Sequence, residues 1–158
     1  MPLEPPSPSP HRPQPARPPM PIRSSADAVF LLTLALRHPN EYESLAFWLD
    51  EAGNGSDVIS ITETLLPDSV IDLVEFMLHR LPPWSRRRSL VVASIRPDIG
   101  VLPGDIDRWM EVNTLCEQHG AQMLEWFVVS HHGVECPRDL LGEPPRWPAA
   151  SPRPPGRR

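Results

Sequence analysis

The sequence contains no lysine; every residue in its Lys-plus-Arg count of 15 is arginine. That suits a GC-rich coding bias better than the demand of any one site. Cysteine is scarce, with only Cys116 and Cys136. Two thiols make no disulfide framework, and each is expected as a buried free cysteine. Long apolar runs are missing too. The longest, residues 29–36, is interrupted by Thr33 and falls far short of a membrane span. The N-terminus holds prolines and serines without the apolar core of a signal peptide. These absences lead us to expect a cytoplasmic chain with no membrane association.

Proline is what the chain has in excess, 23 in 158 residues. Ten fall within residues 2–21 and six within residues 144–155, leaving seven for the long middle. Proline lacks an N–H donor, and stretches this rich in it cannot satisfy a buried backbone. The composition therefore predicts two disordered tails, residues 1–25 and 148–158, around one domain at residues 26–147. That length suits a single core and excludes a multidomain enzyme. Charge divides the same way. The two tails together hold six arginines and one acid, for +5, and the middle nine arginines and nineteen acids, for −10. Such an acidic domain is a poor general binder of nucleic acid, where phosphate neutralisation dominates affinity.

Along the domain, residues 28–36 form a nearly continuous apolar run ended by Arg37, His38, Pro39 and Asn40, and predict a buried strand. Leu45, Phe47 and Leu49 suggest a second strand. Ala52-Gly53-Asn54-Gly55 then forms a turn, and residues 58–62 return. After Pro67, the residues Val70, Leu73, Val74, Met77, Leu78 and Leu81 trace one helical stripe, stopped by Pro82-Pro83. Residues 90–95 read as a doubly buried strand. A second helix starts at Pro103-Gly104-Asp105 and ends at Gly120. A strand at 124–130, a turn at 131–133 and a short return at 134–136 follow. The expected order is β-β-β-α-β-α-β-β, a mixed α/β domain.

The informative stretch runs from Ser89 to Trp147. A buried strand ends in Ala93-Ser94-Ile95-Arg96-Pro97, and a loop leads to Pro103-Gly104-Asp105-Ile106-Asp107. After the helix come Met123-Leu124-Glu125-Trp126-Phe127-Val128-Val129, a turn, and Cys136-Pro137-Arg138-Asp139-Leu140-Leu141. This layout resembles the JAB/MPN metalloprotease-like family, most closely its RadC-like bacterial branch. That branch runs a buried strand into H-x-H-P-S, follows with S-x-x-D at a helix start, and then has a strand of the L-L-D-H-V-I-V type. The resemblance implies a JAB/MPN (cytidine-deaminase-like) architecture with a mixed sheet and two main helices.

The departures from that pattern decide what the resemblance implies for activity. In the family, two histidines and an aspartate hold zinc, and an upstream glutamate serves as base. Here the histidine positions carry Ser94 and Arg96, and the serine position carries Gly104. Only Asp107 remains of the set. Serine is a poor zinc ligand, and arginine cannot deprotonate to become one. The resemblance therefore implies a vestigial metal site at Ser94, Arg96 and Asp107, with no metal, no cofactor and no catalytic residue. Arg96, occupying the vacated position, is expected to form an ion pair with Asp107.

Other constellations have bland explanations. Asp98, Asp105 and Asp107 cluster at a helix start, where acids are favoured in any case. His131-His132 reads as a turn. Glu41, Glu43 and Glu51 lie near the expected place of the family glutamate but read as exposed loop acids. The run Arg86-Arg87-Arg88 after Trp84 could meet phosphate, though three arginines beside an acidic domain are more often a solvated loop between a helix and an edge of the sheet. Arg146 and Trp147, in an extended proline-rich arm, form a docking element that latches onto the domain itself or onto a partner groove.

Three functions follow. The first is a catalytically inactive RadC-like JAB domain, a pseudoenzyme that binds or scaffolds a protein partner. The second is a metal-dependent, peptidase-like hydrolase with rearranged ligands. The third is DNA association through the basic tails.

Overall fold

The computed structural model describes residues 21–36, 41–81 and 88–148. Most of both expected tails, together with Trp84, Arg86 and Arg87, lies outside the described residues. The elements run α1 (Ser25–Ala35), β1 (Glu43–Leu49), β2 (Ile59–Thr62), α2 (Ser69–Leu78), β3 (Arg88–Ile95), α3 (Asp105–Gln118), β4 (Ala121–Ser130), β5 (Gly133–Glu135) and the short α4 (Pro137–Leu140). The five strands make one mixed sheet in the order β2-β1-β3-β4-β5. β1 is antiparallel to both neighbours, β3 and β4 are parallel, and β5 returns antiparallel to β4. The parallel β3–β4 pair needs a crossover, and α3 supplies it.

Strand alternation divides the core in two. Ala46, Trp48, Leu90, Val92, Trp126 and Val128 face α2 and α3. Leu45, Phe47, Val91, Ala93, Ile95 and Phe127 face the other way, towards Ala28 and Leu32 of α1. All seven residues of β1 are buried, as a central strand covered on both faces must be. A bulge between Met123 and Glu125, opposite Leu90 and Val91, shifts the parallel register by one residue.

The first described element is a helix, not the strand expected over residues 28–36. Ser24 accepts a hydrogen bond from the Asp27 N–H at 3.2 Å, and Asp27 accepts one from the Arg23 N–H at 3.0 Å. This reciprocal cap fixes the helix start. Of the apolar run, Ala28 and Leu32 are buried, one turn apart, while Phe30 and Leu34 are exposed. The sequence is apolar all round this helix, so periodicity cannot distinguish it from a doubly buried strand. The other expected elements are present within a few residues of their expected ends. Gly120 takes φ of +68° just after α3, as a helix-terminating glycine does.

The domain also begins earlier than Ala26. Ile22 is buried, and its N–H donates to the Gly53 carbonyl at 2.8 Å. That bond anchors the chain to the β1–β2 turn. Asp50 organises the turn by accepting from the N–H groups of Ala52 and Asn54, both at 2.9 Å. Burial works against the Asp50 carboxylate, yet the hydrogen bonds from Asn54, Ala52 and Gly53 outweigh it and hold its pKa below the usual value. Compared with a chain starting at Pro21, one starting at Ser25 loses both the Ile22 side chain and the Ser24 cap. Its stability should fall by about 2–4 kcal/mol. Equal urea midpoints for the two chains would show that residues 21–24 contribute nothing.

Candidate functional site

The C-terminal end of β3 and the start of α3 meet at a buried ion pair. Arg96 continues the parallel ladder through its N–H, which donates to the Val129 carbonyl at 2.8 Å. That bond sends its side chain onto the α3 face of the sheet. Its guanidinium grips Asp105 with two bonds, Nη1 to Oδ2 at 2.5 Å and Nη2 to Oδ1 at 3.2 Å. Asp105 is fully buried and Arg96 nearly so. Its Oδ2 also accepts from the Leu102 N–H at 2.7 Å, and its Oδ1 from Arg108 Nη1 at 3.1 Å. Both carboxylate oxygens are thus doubly engaged, the condition under which burying such a charge is tolerable. Arg108 reaches on to Asp68 at 2.7 Å, tying the start of α2 to α3. Burial opposes the Arg108 charge, but hydrogen bonds to Asp68 and Asp105 raise its pKa above the ordinary arginine value.

This geometry corrects the expected pairing. Arg96 is held by Asp105, and Asp107 is exposed. Successive helical residues turn by about 100°, so positions 105 and 107 project roughly 200° apart, and only one can face the sheet. Gly104 is the residue preceding α3, where a Cβ would lie 2.8 Å from the flexible Arg108 Nη1. The Ser94 hydroxyl accepts from the Trp126 indole at 2.9 Å, and the Arg96 guanidinium lies 5.7 Å from the centre of the same ring. Ser94, Arg96 and Asp105 are therefore brought together and engaged, while Asp107 is not among them.

Glu43 departs from its expectation as an exposed loop acid. It is fully buried in β1, opposite Ile95 of β3 and Thr62 of β2. It shares the parity of Leu45, so its carboxylate lies on the α1 face, across the sheet from Ser94 and Arg96. Ser60 donates to its Oε1, while Oε2 is buried with no hydrogen-bond partner. Glu51 is exposed in the β1–β2 turn. His131 Nε2 lies 3.6 Å from Asp98, both well exposed, and the His132 N–H bonds Ser130 within the turn. Among the described residues, no three His, Cys, Asp or Glu side chains converge as a metal would require.

A second buried ion pair lies on the α1 face, without having been anticipated as a pair. Arg138 Nη2 and Nε bond Glu125 Oε2 at 3.0 and 3.2 Å, and its Nη1 donates to the Glu143 carbonyl at 2.6 Å. Burial, reinforced by the Glu125 charge, pushes the neighbouring Cys136 thiol up to about 12. Burial does the same for Cys116, also to about 12. Neutral thiols of this kind are poor nucleophiles.

The Arg146-Trp147 arm docks on the domain itself. Arg146 donates to Asn113 Oδ1 and, at 2.8 Å, to the Met123 carbonyl, and its guanidinium lies 5.1 Å from the centre of the Trp109 ring. Trp147 packs against the α1-face core, with its indole nitrogen buried and unpartnered. Beside it a cleft of about 430 Å³ opens at the far end of the sheet from Arg96, lined in part by Arg23, Asp50, Ser89 and Gln122.

No family model matches the chain, and no curated protein matches it.

Two predictions follow from these buried charges. Arg96→Ala and Asp105→Ala should each cost about 3–5 kcal/mol in urea unfolding, since either strands the other charge. The combined Arg96→Met/Asp105→Leu variant should recover most of that loss, and costs that simply added would mean the two side chains do not interact. Glu43→Met replaces a half-satisfied buried carboxyl with an apolar side chain of similar length. It should leave stability unchanged or raise it by about 1–2 kcal/mol. A loss of several kcal/mol on denaturant unfolding would show that Glu43 has a stabilising partner.

Proposed function

We propose that the chain is a RadC-like JAB/MPN domain without a working metal centre, and that it serves in the cytoplasm as a binding or scaffolding module for another protein. The observation that carries this reading is the Arg96–Asp105 pair. The sequence resemblance puts a zinc ligand at Arg96, and there a permanently charged guanidinium is locked to the nearest carboxylate. The Ser94 hydroxyl, at the other ligand position, is committed to Trp126. A cation placed here would meet a fixed positive charge instead of an open ligand set. The coarse α/β architecture is compatible with the reading, since the end of β3 and the start of α3 bring Ser94, Arg96 and Asp105 together, though not Asp107. The spacing does not carry over fully, since Asp105, two residues before the family position, takes the place expected of Asp107.

A rearranged hydrolase would need Asp107 to converge, in a set of at least three ligands, with Asp98, Asp105, a histidine or an upstream glutamate. The exposed Asp98–His131 contact supplies only two groups. Asp105 is saturated by two arginines and a backbone N–H, while Asp98 and Asp107 are exposed. Apart from Arg23, the arginines of the basic tails that motivated a nucleic-acid reading lie outside the described residues.

The test restores the ligands. Ser94→His with Arg96→His removes the blocking cation and leaves Asp105 as a third ligand on the same face. The folded double variant should bind one zinc by titration calorimetry and melt higher in its presence, whereas the parent, purified without a histidine tag, should carry none. A double variant that folds and ignores zinc would sink the family assignment of this loop. One equivalent of zinc or manganese in the parent would sink the inactive reading instead.

A further inference from the structure

The sheet has two edges, and they are protected very differently. β5 is three residues long and ends in Glu135, whose carboxylate accepts from the Val101 N–H at 3.1 Å and holds the 98–101 loop beside it. β2, Ile59-Ser60-Ile61-Thr62, carries no charge and no proline. Charge and proline are two of the means of keeping an edge strand from pairing with another chain; β2 is short, at four residues, but has neither. Three of its four residues are exposed, Ile61 among them.

The apolar surface gathers at the same edge. Leu65 and Leu66, in the segment leading out of β2, are 66% and 72% exposed. On the opposite face of the sheet, Phe30 and Leu34 of α1 are 67% and 68% exposed, and they border a groove of about 380 Å³ against Gly55 and Ser56, in the loop leading into β2. These are the four most exposed large apolar side chains among the described residues. Isolated exposed leucines need no explanation, but such residues on both flanks of one open strand do.

We infer that β2 is the interface for a second copy of this chain, paired antiparallel across a two-fold axis so that two five-stranded sheets join into one. An antiparallel edge is self-complementary, since the same residues can serve both partners, which is the requirement of a closed two-fold contact. The area is adequate. At roughly 150–200 Å² per large apolar side chain, the exposed parts of Phe30, Leu34, Ile61, Leu65 and Leu66 offer on the order of 500–600 Å². Strand backbone, Ser60 and Thr62 bring this towards the roughly 800 Å² per partner of a stable interface. β1 separates this edge from the Arg96 site, and the pairing uses none of that site's residues, so the inference does not rest on whether the site is active.

Sedimentation velocity of the full chain tests the inference. Mass should rise with concentration from 17.8 kDa towards twice that value. Ile61→Lys, a guard charge on the strand, should hold the chain at single mass, and Leu65→Glu with Leu66→Glu should weaken association at least tenfold. Met110→Glu alters a side chain on α3 that is 58% exposed and should change nothing. A parent chain that stays at single mass throughout overturns the inference. So does a dimer that survives in folded Ile61→Lys, or one that Met110→Glu also abolishes. If Ile61→Lys does not fold, hydrogen exchange on the parent decides: the amides of Ser60 and Thr62, which alternate away from β1, must gain protection as concentration rises, and unchanged exchange overturns the inference.

Discussion

The rest of the α3 side depends on one buried contact, the grip of Arg96 on Asp105. The parallel β3–β4 pair requires the chain to leave the sheet, cross over and return, and the exit is where a backbone is hardest to satisfy. Asp105 settles that exit by accepting the Leu102 N–H and both arginines at once. Its carboxylate closes the loop, fixes where α3 begins and, through Arg108 and Asp68, sets the start of α2 against it. Pairs of this kind add little net stability over an apolar core of the same shape, and their cost appears when one partner is lost. Their contribution is to specify one arrangement of the loop.

The other face repeats the device with different residues. Arg138, in the short α4, reaches Glu125 of β4 and the Glu143 carbonyl. β4 is therefore flanked by two buried arginine–carboxylate pairs, one on each side of the sheet, both closing the chain segments next to it. The bulge at Leu124 is what makes the second pair available. It shifts the register by one residue, so that Glu125 lies opposite Val91 and on the α1 face. Without that shift the carboxylate would point among the tryptophans of the α3 side. An arginine-only set of cations suits both sites, because a planar fork can satisfy two carboxylate oxygens together and keeps its charge when buried.

Much of the fold was legible because its signals are local. The stripe from Val70 to Leu78 is amphipathic at the helical period, and residues 90–95 are a short apolar run that two covered faces explain. α1 was illegible by period because Phe30 and Leu34 are apolar yet exposed. Its legible signal was the cap, Ser24 with Asp27 three residues on, just ahead of the apolar run. The site failed for another reason. Spacing alone offers two aspartates at the start of α3, two residues apart, and only packing decides which one faces the sheet. Glu43 and Glu125 were hidden similarly: a charged residue inside an apolar strand tells nothing of its partner, which comes from an element distant in sequence.

The two unusual features of the domain, the β3–α3 site and the β2 edge, lie on strands separated by β1 and make opposite demands. Around Arg96, both oxygens of Asp105 and the Ser94 hydroxyl are engaged by groups of the chain itself. Around β2, among the described residues, the outer edge pairs with no further strand and large apolar side chains are exposed. A protein that binds without catalysing would be expected to distribute its surface in this way. Fold alone does not specify function, but the placement of satisfied and unsatisfied groups on it does restrict where function can lie. In this chain that restriction points away from the ligand positions of the motif and towards the edge strand and α1.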